Sequence, residues 1–178
     1  MKVHEEHKKK APKNLSIAII IVSTSRFNEI KENKQSSDKT IPLVKKILED
    51  YEHILLAYSE IIADSEIQIK KTLTKFLEEN AIDVLIFSGG TGLSPKDVTY
   101  ETIKPLLEKK LAGFGELFRF LSYEDIGSSA MLSRAIAGTI KNKVIFLIPG
   151  SPNAVKLALN KLILPEIGHI LYLINKKE

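Results

Sequence analysis

Two rhythms of apolar residues run along this chain. In the first, apolar residues follow one another almost without a polar break: Leu15–Val22 (LSIAIIIV), residues 84–87 (VLIF) and residues 144–148 (VIFLI). Such short runs suit strands covered on both faces, since a strand with one wet face alternates instead. Residues 53–62 read as a further strand. The second rhythm has a period near 3.6. Ile41, Val44, Leu48 and Tyr51 share one face of a helix that Asp38 or Thr40 opens, with Pro42 tolerated in its first turn. Ile69, Leu73, Phe76 and Leu77 form the apolar stripe of a helix over 66–79. Thr99 opens another, which Pro105 ends or bends. A helix carries Glu116 and Arg119, Ser151 and Pro152 start one that Pro165 breaks, and a short last helix covers 166–174. Residues 27–37 are polar with mixed charge and read as a loop. Residues 138–148 read as a hairpin turning at 141–143. Strands therefore alternate with helices of about 10–15 residues, which predicts a three-layer α/β/α domain around a mainly parallel central sheet.

In such sheets ligands sit off the carboxyl ends of the strands, so the residues just past each strand matter most. After Val84–Ser88 come Gly89, Gly90, Thr91 and Gly92, then Pro95, Lys96, Asp97 and Thr99. Glycine admits positive φ and lets a ligand approach the main-chain N–H groups, and a row of those groups ahead of a helix suits an anion. The same glycines would also serve a plain tight turn. The loop lacks the Gly-Lys-Ser/Thr of a P-loop and is not the dinucleotide G-x-G-x-x-G. Asp97 shifts the balance, because a carboxylate beside a phosphate cradle makes sense with a cation between them. Asp64 follows another strand; it is either a helix cap or a second carboxylate for the same cation. Ser23, Thr24, Ser25 and Arg26 follow the first strand and offer three hydroxyls and a guanidinium, either to an anion or to the turn. Pro149, Gly150, Ser151 and Asn153 open a helix on the same edge. Glu116 with Arg119 reads as a surface ion pair. His169 reads as a packing or interface residue.

Composition narrows the function classes. The chain has 178 residues, 44% hydrophobic and 27% charged, which suits one domain with a full core. Its net charge of +4 lies at the ends. Residues 1–13 hold five lysines against two glutamates, and Lys176, Lys177 and Glu178 add one more positive charge. The body is neutral, so the basic balance argues for no nucleic-acid face. The expected organisation is a flexible basic tail, 1–13, with two solvated histidines, His4 and His7, and a single domain over 14–178. The absence of cysteine excludes disulfides, thiolate metal sites and cysteine nucleophiles. No apolar run approaches the ~18–20 residues needed to span a bilayer, and no signal segment is visible. These features lead to the expectation of a cytoplasmic protein without membrane contact.

Several stretches in order, SGGTGLSPKDVT, GFGELFR, LSRAIAG and IPGSPNAV, resemble the MoaB/MogA family of molybdenum cofactor biosynthesis proteins. The earlier IIIVSTSR and IIADS fit as well, so the likeness covers about residues 15–169. It implies a Rossmann-like, MoaB/MogA-type fold and Mg²⁺-assisted adenylylation of molybdopterin by ATP, with pyrophosphate released and adenylyl-molybdopterin passed to a molybdenum- or tungsten-insertion protein. By the same resemblance Asp97 and Asp64 are the catalytic, metal-holding carboxylates. Gly89, Gly90, Thr91 and Gly92, with Pro149, Gly150, Ser151 and Asn153, bind the nucleotide. Ser23, Ser25, Arg26, Glu116, Arg119, Ser133 and Arg134 line the molybdopterin side. Members form trimers, or hexamers built from them. Two positions depart from the family pattern: Lys96 stands where arginine is usual, and Asp38 where Ser-Gly opens the first helix. The MoaB branch also includes silent members. A molybdopterin carrier without turnover is therefore the alternative, and an unrelated α/β nucleotide-binding regulator is a third reading.

Overall fold

The computed structural model describes Pro12 and residues 14–176. The basic tail expected over 1–13, with its two histidines, lies outside the described residues except for Pro12. The sheet has six strands: β1 (Leu15–Val22), β2 (Ile54–Ile62), β3 (Val84–Ser88), β4 (Lys109–Leu111), β5 (Ile136–Ile140) and β6 (Lys143–Ile148), in the order β2-β1-β3-β6-β5-β4. The pairings β2-β1, β1-β3 and β3-β6 are parallel; β6-β5 and β5-β4 are antiparallel.

The unbroken apolar runs have the meaning expected of them. Along β1, Ile17, Ile19 and Ile21 enter one core while Ala18, Ile20 and Val22 enter the other. The first core is closed by α2 (Thr40–Leu48), α5 (Ala112–Ile126) and the helix that runs from Pro152 to Asn175. The second is closed by α3 (Glu66–Glu78) and the short α4 (Thr99–Ile103). The result is the three-layer arrangement, with a fully buried centre at β1, β3 and β6. The tight turn between β5 and β6 places Lys141 and Asn142 at positive φ, the pattern of a two-residue hairpin.

Three readings of the sequence need correction. Thr24–Lys31 is a helix, α1, which takes up the first half of the expected loop. Ser23 caps it through its hydroxyl, and the helix buries no residue, so it left no apolar period to read. Pro165 does not break its helix. A π-helical turn, Leu159–Ile163, separates α6 (Pro152–Ala158) from α7 (Leu164–Asn175). The wider turn relieves the clash between the proline ring and the carbonyl four residues back, so the rod continues. That rod is long and apolar enough to cross a membrane by length and composition. Its Val155, Ala158, Leu159, Ile163, Leu164, Ile167 and Leu171 are buried in the first core, which accounts for their apolar character. Finally, β4 has only three residues and half of an alternation, too short to register as a strand.

The two ends of the sheet differ. At the amino ends of the parallel strands, Asp83 and Ser16 exchange hydrogen bonds, and the buried Lys143 ammonium donates to the carbonyls of Glu79 and Ile82. Burial pulls the Lys143 pKa below its usual value. At the carboxyl ends the chain opens into loops.

Candidate functional site

Glycine sets how closely those loops approach one another. Gly89 lies at φ +108°, and a Cβ there would collide with the Val22 carbonyl at the end of β1. A Cβ at Gly150 would lie 3.1 Å from the Gly89 Cα. The ends of β1, β3 and β6 are thus drawn into one crowded edge. Above it lies a cavity of about 560 Å³ lined by Ser23, Ser25, Arg26, Ser37, Gly89, Gly90, Thr91, Gly92, Asp97, Leu132, Ser133, Arg134, Pro149 and Gly150, among others.

The glycine loop has its carbonyls held and its amides free. Thr99 N–H donates to the Gly90 carbonyl (2.9 Å), and Arg134 donates to those of Thr91 (2.8 Å) and Gly92 (2.6 Å). Among the described residues, the amides of Gly90, Thr91, Gly92 and Leu93 donate to no protein acceptor. In a trans peptide the N–H points opposite to the C=O, so anchoring the carbonyls on one side turns the next amides to the other. Consecutive free N–H groups, with Thr91 only 3% exposed, suit an anion.

Two carboxylates stand beside this loop. Asp64 does not cap α3: Ser65 occupies the cap position, and Asp64 Oδ1 accepts from the Val98 N–H (3.2 Å), across to the glycine loop's helix. A Cβ on Gly90 would meet both Asp64 oxygens, at 2.6 and 2.7 Å, and one on Gly92 would meet Asp97 Oδ2 at 2.8 Å. Asp97 Oδ2 also accepts from Ser94 N–H (3.2 Å). Burial pushes the Asp64 carboxyl above its usual pKa against the Val98 hydrogen bond, and the charges of Asp97 and Glu101 push the same way. Asp97 lines the cavity and Asp64 does not, yet the two charges are near enough to act on each other, an arrangement that suits a cation held with them. Among the described residues no group of three or more His, Cys, Asp or Glu could hold a metal. Two carboxylates plus ligand phosphate oxygens are a usual Mg²⁺ set, so the residues fit that ion. Thr99 Oγ1 is buried next to Asp64 with no hydrogen-bond partner.

Not every residue expected at the site reaches this cavity. Ser151 and Asn153 line a neighbouring cavity of about 580 Å³, with Lys156, Asn160 and Lys161; the two share Ser133 and Pro149. Ser151 caps α6 by accepting from Ala154 N–H. Glu116 and Arg119 line neither cavity, and the expected ion pair is absent among the described residues. Arg119 instead reaches the Ala135 carbonyl (3.5 Å). Lys96 is exposed and off the cavity lining. Asp38 caps α2 through Thr40 and Ile41 N–H and stands 3.7 Å from Arg26 Nη1. Sequence reasoning missed Glu101, which pairs with Arg134, and the Thr99 hydroxyl. Only the three-dimensional pairing distinguishes that glutamate from any first-turn acid.

Residues 18–169 match the family described as "probable molybdopterin binding domain". The chain is 46% identical over 173 residues to molybdenum cofactor biosynthesis protein B of Bacillus cereus, covering 97% of this chain and 98% of that protein. It is 45% identical over 174 residues to the protein of the same name from Staphylococcus aureus, covering 97% and 99%. Among solved structures, a molybdenum cofactor biosynthesis protein B superposes with TM-score 0.83 at 43% identity, covering 94% of this chain and 99% of that one. A tungsten cofactor synthesizing protein MoaB from Pyrococcus furiosus gives 0.79 at 35%, covering 93% and 100%.

Proposed function

Because the chain belongs to the molybdopterin-binding-domain family, in its MoaB/MogA group, we propose that its part in molybdenum or tungsten cofactor biosynthesis is the Mg·ATP-dependent adenylylation of molybdopterin. The observation that carries this reading is the pairing of Asp64 and Asp97 beside a loop whose amides are free. In the reaction a terminal phosphate oxygen of molybdopterin bonds to the α-phosphorus of ATP, the α–β bridging bond breaks, and pyrophosphate leaves with the electron pair. Both reactants are highly anionic, so catalysis is mostly positioning and charge neutralisation. A Mg²⁺ held by Asp64 and Asp97 would offset charge on the transferred phosphoryl group. The amides of Gly90, Thr91 and Gly92 bind phosphate oxygens as donors. Ser23, Ser25, Arg26 and Ser133 also line the cavity and suit the molybdopterin phosphate. Pro149 and Gly150 close the cavity, and Ser151 and Asn153 open the second one to the rest of the ligand. Glu116 and Arg119 have no assigned contact.

The test is pyrophosphate release from Mg·ATP by the purified protein, with and without molybdopterin. Molybdopterin-dependent release is expected, abolished by EDTA and restored by Mg²⁺. Asp97→Asn is nearly isosteric, so its melting temperature should stay near wild type while release falls roughly 100-fold or more. An active Asp97→Asn protein removes the metal assignment. One observation favours the second reading, a carrier without turnover. The Asp38 carboxylate, with a side chain 4% exposed, sits beside Arg26 and partly neutralises it. Tight molybdopterin binding without release would establish that reading.

We also propose that the protein works as a trimer or hexamer. Leu117, Phe120 and Tyr123 are exposed at three-residue spacing on α5, with Met131 and Leu132 exposed beyond its end. Exposed apolar side chains gathered on α5 suit self-association.

A further inference from the structure

We propose that Arg134 is a positioning residue, which locks the peptide planes of the glycine loop with their amides toward the incoming phosphate and is not itself a ligand of the substrate. The proposal rests on the reading of that loop as an anion cradle. Every nitrogen of the guanidinium is engaged within the protein. Nε donates to the Thr91 carbonyl at 2.8 Å, Nη2 to the Gly92 carbonyl at 2.6 Å and to Glu101 Oε2 at 3.0 Å, and Nη1 to Glu101 Oε1. The Tyr100 ring lies beneath the guanidinium, 4.7 Å from centroid to Cζ. The Arg134 bond holds the Glu101 carboxyl below its usual pKa, and Glu101 in turn raises that of Arg134. Little donor capacity remains for a substrate.

The loop needs such a lock because of its own glycines. Gly92 joins the two peptide planes whose carbonyls Arg134 holds. A peptide next to glycine turns over cheaply, since no Cβ opposes positive φ. Turned over, those planes would aim carbonyl oxygens where the amides now lie and would repel phosphate. The residue that lets a ligand approach also lets the cradle invert, and the two-point grip of Arg134 removes that freedom. A lysine cannot reproduce it, because an ammonium is a point charge without the planar fork.

The full chain is tested with Mg·pyrophosphate by calorimetry and, without ligand, through the NMR signal of the Gly92 amide. Arg134→Gln should bind Mg·pyrophosphate at least about tenfold more weakly, with a Gly92 amide broadened or averaged in the free protein. Arg134→Lys keeps the charge and should resemble Arg134→Gln in both readouts; it also serves if the glutamine variant folds poorly. A bystander arginine would move neither readout, and wild-type binding by Arg134→Gln overturns the proposal. Weaker binding with an unchanged Gly92 amide, rescued by Arg134→Lys, also overturns it and makes Arg134 a direct phosphate ligand. A wild-type protein that binds no Mg·pyrophosphate removes the cradle and the proposal with it. That failure is told apart because it appears before any substitution.

Discussion

At the scale of single residues, the carboxylate pair sets function against stability. Asp64 has a folded-state pKa raised above its ordinary value, chiefly by burial. The sign follows from linkage. Below the ordinary carboxylate range the group is protonated in both states and the raised pKa has its full stabilising effect; as pH rises through the folded pKa, that stability is lost. Once ionised, Asp64 is therefore a liability without a cation. Asp64→Asn keeps an acceptor for Val98 N–H and sheds the charge. It should melt at or above the wild-type temperature, by an advantage that is absent below the ordinary carboxylate range, grows as pH rises from there through the folded pKa, and is constant above it. Calorimetry across pH checks this, and a uniformly lower melting temperature would refute it. Mg²⁺ affinity should fade on acidification sooner than for an ordinary carboxylate pair, measured by calorimetry in the same series. Gly90→Ala tests the geometry. At φ +63° the strain and the collision with Asp64 should destabilise by about 1–3 kcal/mol and cut Mg²⁺ binding as well. Asp97 was legible beside its loop because the two are neighbours in sequence. Asp64 lies 34 residues from its partner Val98, and only the rule that parallel strands open onto one edge suggested the meeting. No rule of spacing could bring Arg134 to Thr91, 43 residues away.

Among the elements, α1 stands apart. It carries Ser25 and Arg26 to the cavity, yet buries nothing; its polar ties are the serine cap, the Glu29–Ser37 hydrogen bonds, the Asp64 N–H donated to Thr24 Oγ1 and the Arg26–Asp38 ion pair. Such a helix belongs at the low end of local stability. Its amides should exchange orders of magnitude faster than those of α3, which buries Ile69, Leu73 and Phe76. A bound anionic ligand should protect them. Equal exchange in the free protein would show a support that the contacts do not explain. The contrast with α3 also shows what the sequence could reveal. Helices that bury a stripe declare themselves by period, and strands buried on both faces by unbroken runs. An element held by polar contacts alone, such as α1, or rescued by a wider turn, such as the rod through Pro165, leaves no periodic signal.

For the whole molecule, the mainly parallel arrangement expected from the pattern holds for β2, β1, β3 and β6, while β5 and β4 complete a mixed sheet; the strand order was not legible in the pattern, because β4 left no signal. The proposed assembly is tested at this scale. Phe120→Glu, at a position 66% exposed, should leave the melting temperature nearly unchanged but shift the light-scattering mass toward the monomer. An unchanged mass would exclude α5 as the contact face. The strand order also dictates a timetable at the ribosome. β3 is flanked by β1, made early, and by β6, whose residues Lys143–Ile148 come late. For a period on the order of seconds during synthesis, β3, apolar in all but its last residue Ser88, has one edge bare, which is the kind of template that other chains can join. The cradle that follows β3 cannot be complete until Arg134 and the turn at Gly150 have emerged. Nascent chains stalled before that point should bind no phosphate and should be the species that chaperones hold.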